Sequence, residues 1–331
     1  MTNSMKVSVV MCTFNGEKHI KEQLDSILAQ TYPIYEIIVQ DDCSTDNTWS
    51  IIQNYKSRFP IIRCFQNDKN MGAHDNFKNT FYLANGDYIA PSDQDDIWYP
   101  NKIEKLVNII KDKMLAFSKS KVMFVDGTFG DYPFEFPKTV EQSIWREFLA
   151  GHTCMFHISL LNYLKKTIGK DIAYDSAIAQ IAYTLNSYIY TTEYLQIWRR
   201  HNDAITKSVM NSNENQEIIL LKGTGKFNRL IFTIRNLLLG NKSIGIENYF
   251  NEIADFQKSI NGKKHIIEVC YLLAKQTLTS YLIATLICVK YRKQFFPNVE
   301  TKKNRQKLAF IFFSFRYPFS IWNEMYLFEL N

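Results

Sequence analysis

Along residues 6–111 the apolar positions keep changing their period. Short continuous runs at 6–14 (KVSVVMCTF), 35–40 (YEIIVQ), 61–67 (IIRCFQN) and 87–93 (DYIAPSD) have the length of buried strands, and the first is rich in Val. Between them, apolar side chains recur every three or four residues, the spacing of one helix face. Ile20, Leu24, Ile27 and Leu28 mark such a face within 17–30. The stretch 44–59 opens with N-cap residues and continues as a helix. Residues 73–84 form a third helical stretch, and 101–111, after Pro100, a fourth. This strand–helix alternation predicts an α/β fold: a mostly parallel sheet with helices on both faces.

Beyond residue 120 the pattern loosens. A strand is expected at 121–129, a helix at 139–150, a strand or turn leading into a helix over 151–166, a helix at 175–186 and a last strand at 189–201. Past residue 212 the spacing is helical over roughly 215–240, 246–260 and 264–292, followed by an aromatic segment, 305–322 (RQKLAFIFFSFRYPFSIW). The organisation expected is a catalytic region at 1–210, with halves at about 1–100 and 101–210, and a helical, basic, aromatic-rich region at 211–331.

Charge sharpens that division. The whole chain has 39 Lys+Arg and 33 Asp+Glu, a net +6. Residues 206–331 hold 18 and 9 of these, a net +9, which leaves −3 for residues 1–205. A basic tail suits an anionic surface such as phospholipid headgroups, or equally a solvated helical face. Six scattered Cys without a CxxC pair argue against a zinc ribbon or a disulfide framework and suit a reducing cytosol. The N-terminus lacks the shape of a signal peptide, and the apolar run between Lys275 and Lys290 is shorter than the roughly 20 residues a spanning helix needs. The expected location is the cytoplasm or the cytoplasmic face of a membrane.

Ligands of open α/β sheets bind at the carboxyl ends of the strands. Here those ends read Thr13-Phe14-Asn15-Gly16, Asp41-Asp42, Asn67-Asp68 and Asp93-Gln94-Asp95-Asp96. Three carboxylates within four positions repel one another, and a hard divalent cation with oxygen affinity offsets that repulsion. Helix capping by Asp96 or Asn101 is the plainer reading, but a cap needs one carboxylate. The Asp41-Asp42 pair fails the DxDx(T/V) spacing of aspartyl-phosphate enzymes, because Cys43 and Ser44 stand at the +2 positions. No GxGxxG, P-loop or HExxH occurs.

Taken in order, VSVVMCTFNGEKHIKEQLDSILAQTY, EIIVQDDCSTDNT, NDKNMGAHDNF, ANGDYIAPSDQDDIW, GHTCMF, YDSAIAQIA and WRRH resemble the inverting family 2 glycosyltransferases of GT-A fold, over roughly residues 6–205. The flavour is that of bacterial enzymes building capsule, O-antigen or cell-wall polysaccharide, many of them rhamnosyltransferases. The resemblance implies a nucleotide-binding sheet with a helical C-terminal extension. It implies transfer of a sugar from a nucleotide-diphosphate sugar, UDP or dTDP favoured, to a hydroxyl of a saccharide carried on undecaprenyl diphosphate. It also implies a Mn²⁺ or Mg²⁺ cofactor.

Residue by residue, the resemblance gives donor-side roles to Thr13, Phe14, Asn15 and Glu17, to Asp42 as acceptor from the base, and to Asp41 beside the ribose. Asn70, Gly72 and Asn76 would line the nucleotide-sugar side, although the Arg that many relatives carry near Asn76 is missing. Asp93-Gln94-Asp95 matches the DxD motif, with Asp95 as direct metal ligand, Asp93 reaching the ribose or a metal-bound water, and Asp96 supporting the sugar. His201 would lie by the metal or diphosphate with Arg199 nearby, and His152 and Trp98 on the acceptor side. Asp175 would be the general base; Tyr174 replaces the first member of the family's HD or ED pair, and an N-cap role for Asp175 remains open.

Two other classes stay in view. A sugar-1-phosphate nucleotidyltransferase would need a Gly-rich basic loop after the first strand, where this chain has CTFNGEKH. A non-catalytic nucleotide-sugar binder would share the donor residues without turnover. Clustered cations and aromatics in the tail suit peripheral membrane contact or packing of helices, including an oligomer formed through them. Nothing calls for nucleic acid.

Overall fold

The computed structural model describes residues 5–131, 135–145, 149–167, 173–200, 244–297 and 304. The expected helix at 215–240, the aromatic segment at 305–322 and His201 lie outside the described residues. The chain divides into two compact units: residues 1–135, 148–165 and 173–213 form the first, and 136–147, 166–172 and 214–331 the second.

In the first unit, β1 (Val7–Thr13), α1 (Ile20–Leu28), β2 (Glu36–Asp41), α2 (Thr48–Arg58), β3 (Ile62–Gln66), α3 (Ala73–Phe81) and β4 (Tyr88–Ser92) alternate as the apolar periods require. Strands β3, β2, β1 and β4 lie side by side in that order, all parallel. All seven residues of β1 are buried, as a central parallel strand covered on both faces demands. Val7, Val9 and Met11 join Leu24 and Ile27 of α1 and Ile52 of α2 in one core cluster. On the other face the Cys12 thiol lies 3.8 Å from Thr80 Oγ1 of α3.

After β4 come β5 (Ile97–Trp98), α4 (Lys102–Ile110), β6 (Leu115–Met123), β7 (Phe129–Gly130), β8 (Cys154–His157), α6 (Leu161–Thr167), α7 (Tyr174–Thr184) and β9 (Tyr188–Arg199), with α5 (Val140–Trp145) belonging to the second unit. The sheet order is β3-β2-β1-β4-β8-β6-β9-β5, and β8 runs antiparallel to both β4 and β6. The sheet is therefore mixed: parallel in its first half, as expected, and interrupted by an antiparallel strand in its second. The strand expected at 121–129 starts earlier, at Leu115. The sequence SKSK, residues 118–121, breaks the apolar run, and pairing of Lys119 and Lys121 with β9 holds that stretch in the sheet.

In the second unit, α8 (Ile244–Ser259) is followed by α9 (Lys264–Ala274), α10 (Leu278–Lys290) and α11 (Arg292–Phe295). A single helix was expected over 264–292; it is cut at Gln276, whose φ is +49°. Thr277 caps α10 by accepting from Ser280 N, while the Ser280 hydroxyl accepts from Thr277 N. That reciprocal cap satisfies orphan donors at the start of α10 and explains the break. Buried Glu141 of α5 accepts from Lys263 Nζ (2.8 Å) and His265 Nε2 (2.9 Å), which fixes α5 to the start of α9. His265 in turn stacks on Tyr291 at 3.8 Å.

All six cysteines are free, in keeping with their scattered spacing. Among the described residues no helix is long and apolar enough to cross a membrane.

Candidate active site

The carboxyl ends of β1, β2 and β4 meet on one edge, and side chains from each tie the others in place. Thr13 Oγ1 donates to Asp41 Oδ1 (2.9 Å), while Asp41 Oδ2 accepts from Ser44 N and Gln66 Nε2, each at 3.0 Å. Asp41 is fully buried by these contacts. Its carboxylate fastens the loops after β1 and β2 to β3.

Asp42, next to it, accepts from Asn67 Nδ2 (2.7 Å), Met71 N (2.8 Å) and Gly72 N (2.9 Å). Its carboxylate shapes the 67–72 loop. Gly72 sits at φ +83°, a conformation that favours glycine, and opens α3. Asn70 supports the same turn through Gly72 N (3.1 Å). Asn76 is buried, donates to Gln40 O (3.2 Å) and accepts from Asn67 Nδ2 (2.9 Å). It stands behind the loop and does not line its surface.

The loop after β1 is held just as tightly. Asn15 adopts φ +48°, and its side chain accepts from Thr45 N (2.9 Å). Glu17 accepts from Asn47 N (3.0 Å) and Nδ2 (2.8 Å) at the head of α2. Phe14 leaves its ring 44% exposed at the strand end. Gln94, at the centre of the DxD stretch, donates to Phe14 O (2.9 Å) and accepts from Phe14 N (3.0 Å). A Cβ on Gly16 would collide with the Gln94 amide and push it off the Phe14 backbone.

The acidic turn divides by burial: Asp93, Gln94 and Asp95 are half-buried, whereas Asp96 is fully buried. Asp96 accepts from Gln196 Nε2 and Arg199 N, both at 3.2 Å. His152, in a one-turn 3-10 helix at Gly151–Thr153, brings Nδ1 to 2.6 Å from Asp93 Oδ2 and 3.2 Å from Asp96 Oδ2. Both neighbours are carboxylates, so Nδ1 carries the proton. Ligand atoms of Asp93, Asp96 and His152 lie within 4.8 Å of one another.

Burial pushes the Asp96 carboxyl well up, a shift that Asp95 and Asp93 reinforce. Burial alone would lower the His152 imidazole, but Asp96 and Asp93 outweigh it and raise it. Lys102 at the start of α4 is buried too; desolvation draws its ammonium down, against the pull of Asp96. Its Nζ donates to His152 O (2.6 Å) and to Gln196 Oε1, and lies 3.7 Å from the centre of the Trp98 ring. The buried Lys102 amine thus braces the 3-10 turn against the acidic loop. Neither its length nor its neighbours in sequence mark Lys102 as different from a surface lysine of an amphipathic helix.

Two expected positions stand elsewhere. Trp98 is 2% exposed and belongs to the core beside α1 and α4, not to an acceptor surface. Arg199 turns onto α1, where it meets Glu22 Oε2 and His19 Nδ1 (2.7 Å), not onto the acidic loop. Its neighbour Arg200 feels Asp95 and Asp96 instead, and its guanidinium lies over the Trp198 ring at 4.7 Å. Among the described residues, the ligand atoms close enough together to hold a cation are those of Asp93, Asp96 and His152, with Asp95 in the same turn.

Asp175 lies in the first turn of α7, where its Oδ1 accepts from Ser176 N (2.7 Å) and the helix N-terminus favours a carboxylate. The N-cap is Ala173, not Asp175. Tyr174 is buried against Phe77 (4.8 Å) and Phe81 (5.3 Å), its backbone N–H donates to His74 Nδ1 (2.9 Å), and its hydroxyl fills the space over Gly151. Both Asp93 and Asp175 act electrostatically on that hydroxyl. Tyr174 is therefore the packing link that brings the start of α7 beside the acidic turn.

This donor set fits a hard divalent cation. Two half-exposed carboxylates, Asp93 and Asp95, share one turn, and the buried Nε2 of His152 has no hydrogen-bond partner.

Comparison with known proteins gives a consistent picture. Residues 8–162 match the family model described as "Glycosyl transferase family 2". A putative teichuronic acid biosynthesis glycosyltransferase of Bacillus subtilis, TuaG, is 35% identical over 124 residues, 37% of this chain and 49% of the relative. An Escherichia coli protein, WfaP, named a UDP-Glc:alpha-D-GlcNAc-diphosphoundecaprenol beta-1,3-glucosyltransferase, is 34% identical over 132 residues, 38% of this chain and 52% of the relative. The chain thus spans about half the length of these two relatives. A crystal structure of S. aureus TarS 1-349 in complex with UDP-GlcNAc superposes with a TM-score of 0.52, covering 93% of this chain and 91% of that one. At 18% identity that likeness is one of fold.

Proposed function

Because this chain carries a glycosyl transferase family 2 domain of GT-A fold over residues 8–162, we propose that it moves a sugar, with inversion, from a nucleotide-diphosphate sugar to a hydroxyl of a saccharide in bacterial polysaccharide synthesis. The observation that carries this reading is the convergence at one sheet edge of the loops held by Asp41, Asp42 and Gln94, the carboxylates of Asp93 and Asp95, and the helix that Asp175 opens. The diphosphoundecaprenol-linked acceptor in the name of WfaP supports a lipid-linked saccharide here as well.

In this reading the nucleotide lies along the 13–16 and 67–72 loops, whose rigid hydrogen bonding pre-organises their backbone amides. Asp93 and Asp95, with His152 behind Asp93, would hold Mn²⁺ or Mg²⁺ at the diphosphate. When bound, such an ion supplies Lewis-acid stabilisation of the charge that grows on the leaving nucleoside diphosphate. Arg200 adds fixed positive charge near Asp95. Asp175 accepts the proton of the acceptor hydroxyl as it attacks the anomeric carbon from the face opposite the leaving group. Its place in the first turn of α7 sets the carboxylate beside the helix N-terminus, whose dipole favours negative charge.

The decisive experiment is a transfer assay with a panel of UDP-, dTDP- and GDP-sugars and lipid-linked saccharide acceptors, reading nucleoside diphosphate release. Asp175→Asn should lower kcat by about 10²–10⁴ while donor affinity stays near wild type. An Asp175→Asn enzyme turning over at full rate would remove the proposed base, and release of pyrophosphate from a nucleoside triphosphate would replace the reaction class.

A further inference from the structure

Among the described residues of the second unit, an apolar ridge stands exposed. Leu278, Leu282 and Leu286 follow one another at four-residue spacing along α10, with Ile283 beside them, at 45, 53, 69 and 47% exposure respectively. Leu286 is the most exposed large apolar side chain among the described residues. The opposite face, Tyr281, Ala284, Thr285 and Cys288, is buried in the unit. The ridge continues into exposed Lys290 and Lys293, and exposed Lys275 precedes it. No Asp or Glu occurs from 269 to 299, so every formal charge flanking the ridge, Lys275, Lys290, Arg292 and Lys293, is positive.

We propose that α10 docks on an anionic lipid surface, its leucine ridge among the acyl chains and Lys290 and Lys293 at the headgroups. Charge decides between the occupants. A second copy packed on the same ridge would set cation against cation, with no carboxylate between 269 and 299 to answer them. An anionic bilayer answers all of them and takes up the aliphatic side chains. Thirteen helical residues measure roughly 20 Å, well short of the hydrocarbon core, so the helix lies on the surface and does not cross it. The surface needs nothing from the transfer chemistry proposed above, and the two fail separately.

The test is flotation of the full chain with vesicles of phosphatidylcholine alone or with about 30% phosphatidylglycerol, at moderate salt. Wild type should float with the anionic vesicles. Leu282→Gln/Leu286→Gln, two exposed positions that leave the core intact, should weaken binding at least about tenfold with an unchanged circular-dichroism melt. Lys290→Glu/Lys293→Glu should remove the preference for phosphatidylglycerol. Wild type that stays in solution with anionic vesicles overturns the proposal, and so does a leucine variant that floats like wild type. A dimer in solution that the leucine variant dissociates, without any vesicle binding, would assign the ridge to a second copy and equally overturn it.

Discussion

Gln94 grips the backbone of Phe14 from both sides, accepting from its N–H at 3.0 Å and donating to its C=O at 2.9 Å. The pairing copies a strand ladder with a side chain, and it joins the loop after β1 to the acidic turn after β4. Gln94→Ala should cost about 1–2 kcal/mol of stability, the worth of two partly exposed hydrogen bonds, and should raise the donor KM more than it lowers kcat. Gly16→Ala should act in the same direction, because its Cβ meets the Gln94 amide. Thermal melts and donor titrations check both. Unchanged donor affinity in both variants would separate the clamp from the donor site.

Asp42 holds two consecutive backbone N–H groups, those of Met71 and Gly72, besides the Asn67 amide. Asp42→Ala leaves three donors without their charged acceptor. It should destabilise the protein by about 2 kcal/mol or more and release the 67–72 loop. Hydrogen exchange at the Met71 and Gly72 amides reads this directly, and faster exchange at those two positions is the expected result.

Divalent cation and donor should bind together. Asp93 and Asp95 share one turn with buried Asp96, so their mutual repulsion is relieved when a cation and a diphosphate arrive as a pair. Chelation with EDTA should weaken donor binding at least about tenfold, a 1.4 kcal/mol change, and Mn²⁺ or Mg²⁺ should restore it. Asp95→Ala should abolish the restoration. Calorimetric titration of a UDP-sugar with and without metal measures each arm, and equal affinity in both would sink the metal's role.

The Glu141 carboxyl gives the second unit a pH signature. Burial alone would raise it, but hydrogen bonds from His265 and Lys263 win and hold it below its usual 4.5. A depressed folded-state value contributes stability that is present above about pH 4.5 and is lost as pH falls through the folded value. Glu141→Gln should therefore lower the melting temperature at pH 7, and the gap to wild type should close below about pH 4.5. A gap that is constant between pH 7 and 3.5 would mean that the ion pairs contribute nothing.

The first half of the fold was legible because each of its elements has a clean period. Val7, Val9 and Met11 face α1 and α2, and the polar residues crowd at the strand ends, so both the parallel sheet and its polar edge follow from pattern alone. The second half hid itself. The start of β6 is disguised by Ser118–Lys121, whose place in the sheet depends on partners far along the chain. Lys102 and Tyr174 are positioning residues that no short motif marks, since their roles arise from burial and from neighbours 50 to 100 positions away. Conversely, Trp98 sits within the motif-bearing stretch yet is plain core, and motif membership misled there.

The turn at Gln276 has a consequence for topology. Residues 272–289 contain one charge, Lys275, and drawn as a single rod they would reach roughly 27 Å, nearly the depth of a bilayer's oily interior. Two hydroxyls, those of Thr277 and Ser280, end that rod after α9 and start another. Without them this stretch would carry the ambiguity of a segment able to be threaded through a membrane during synthesis. The cap divides it into helices of 11 and 13 residues, each shorter than the roughly 20 that a spanning helix needs.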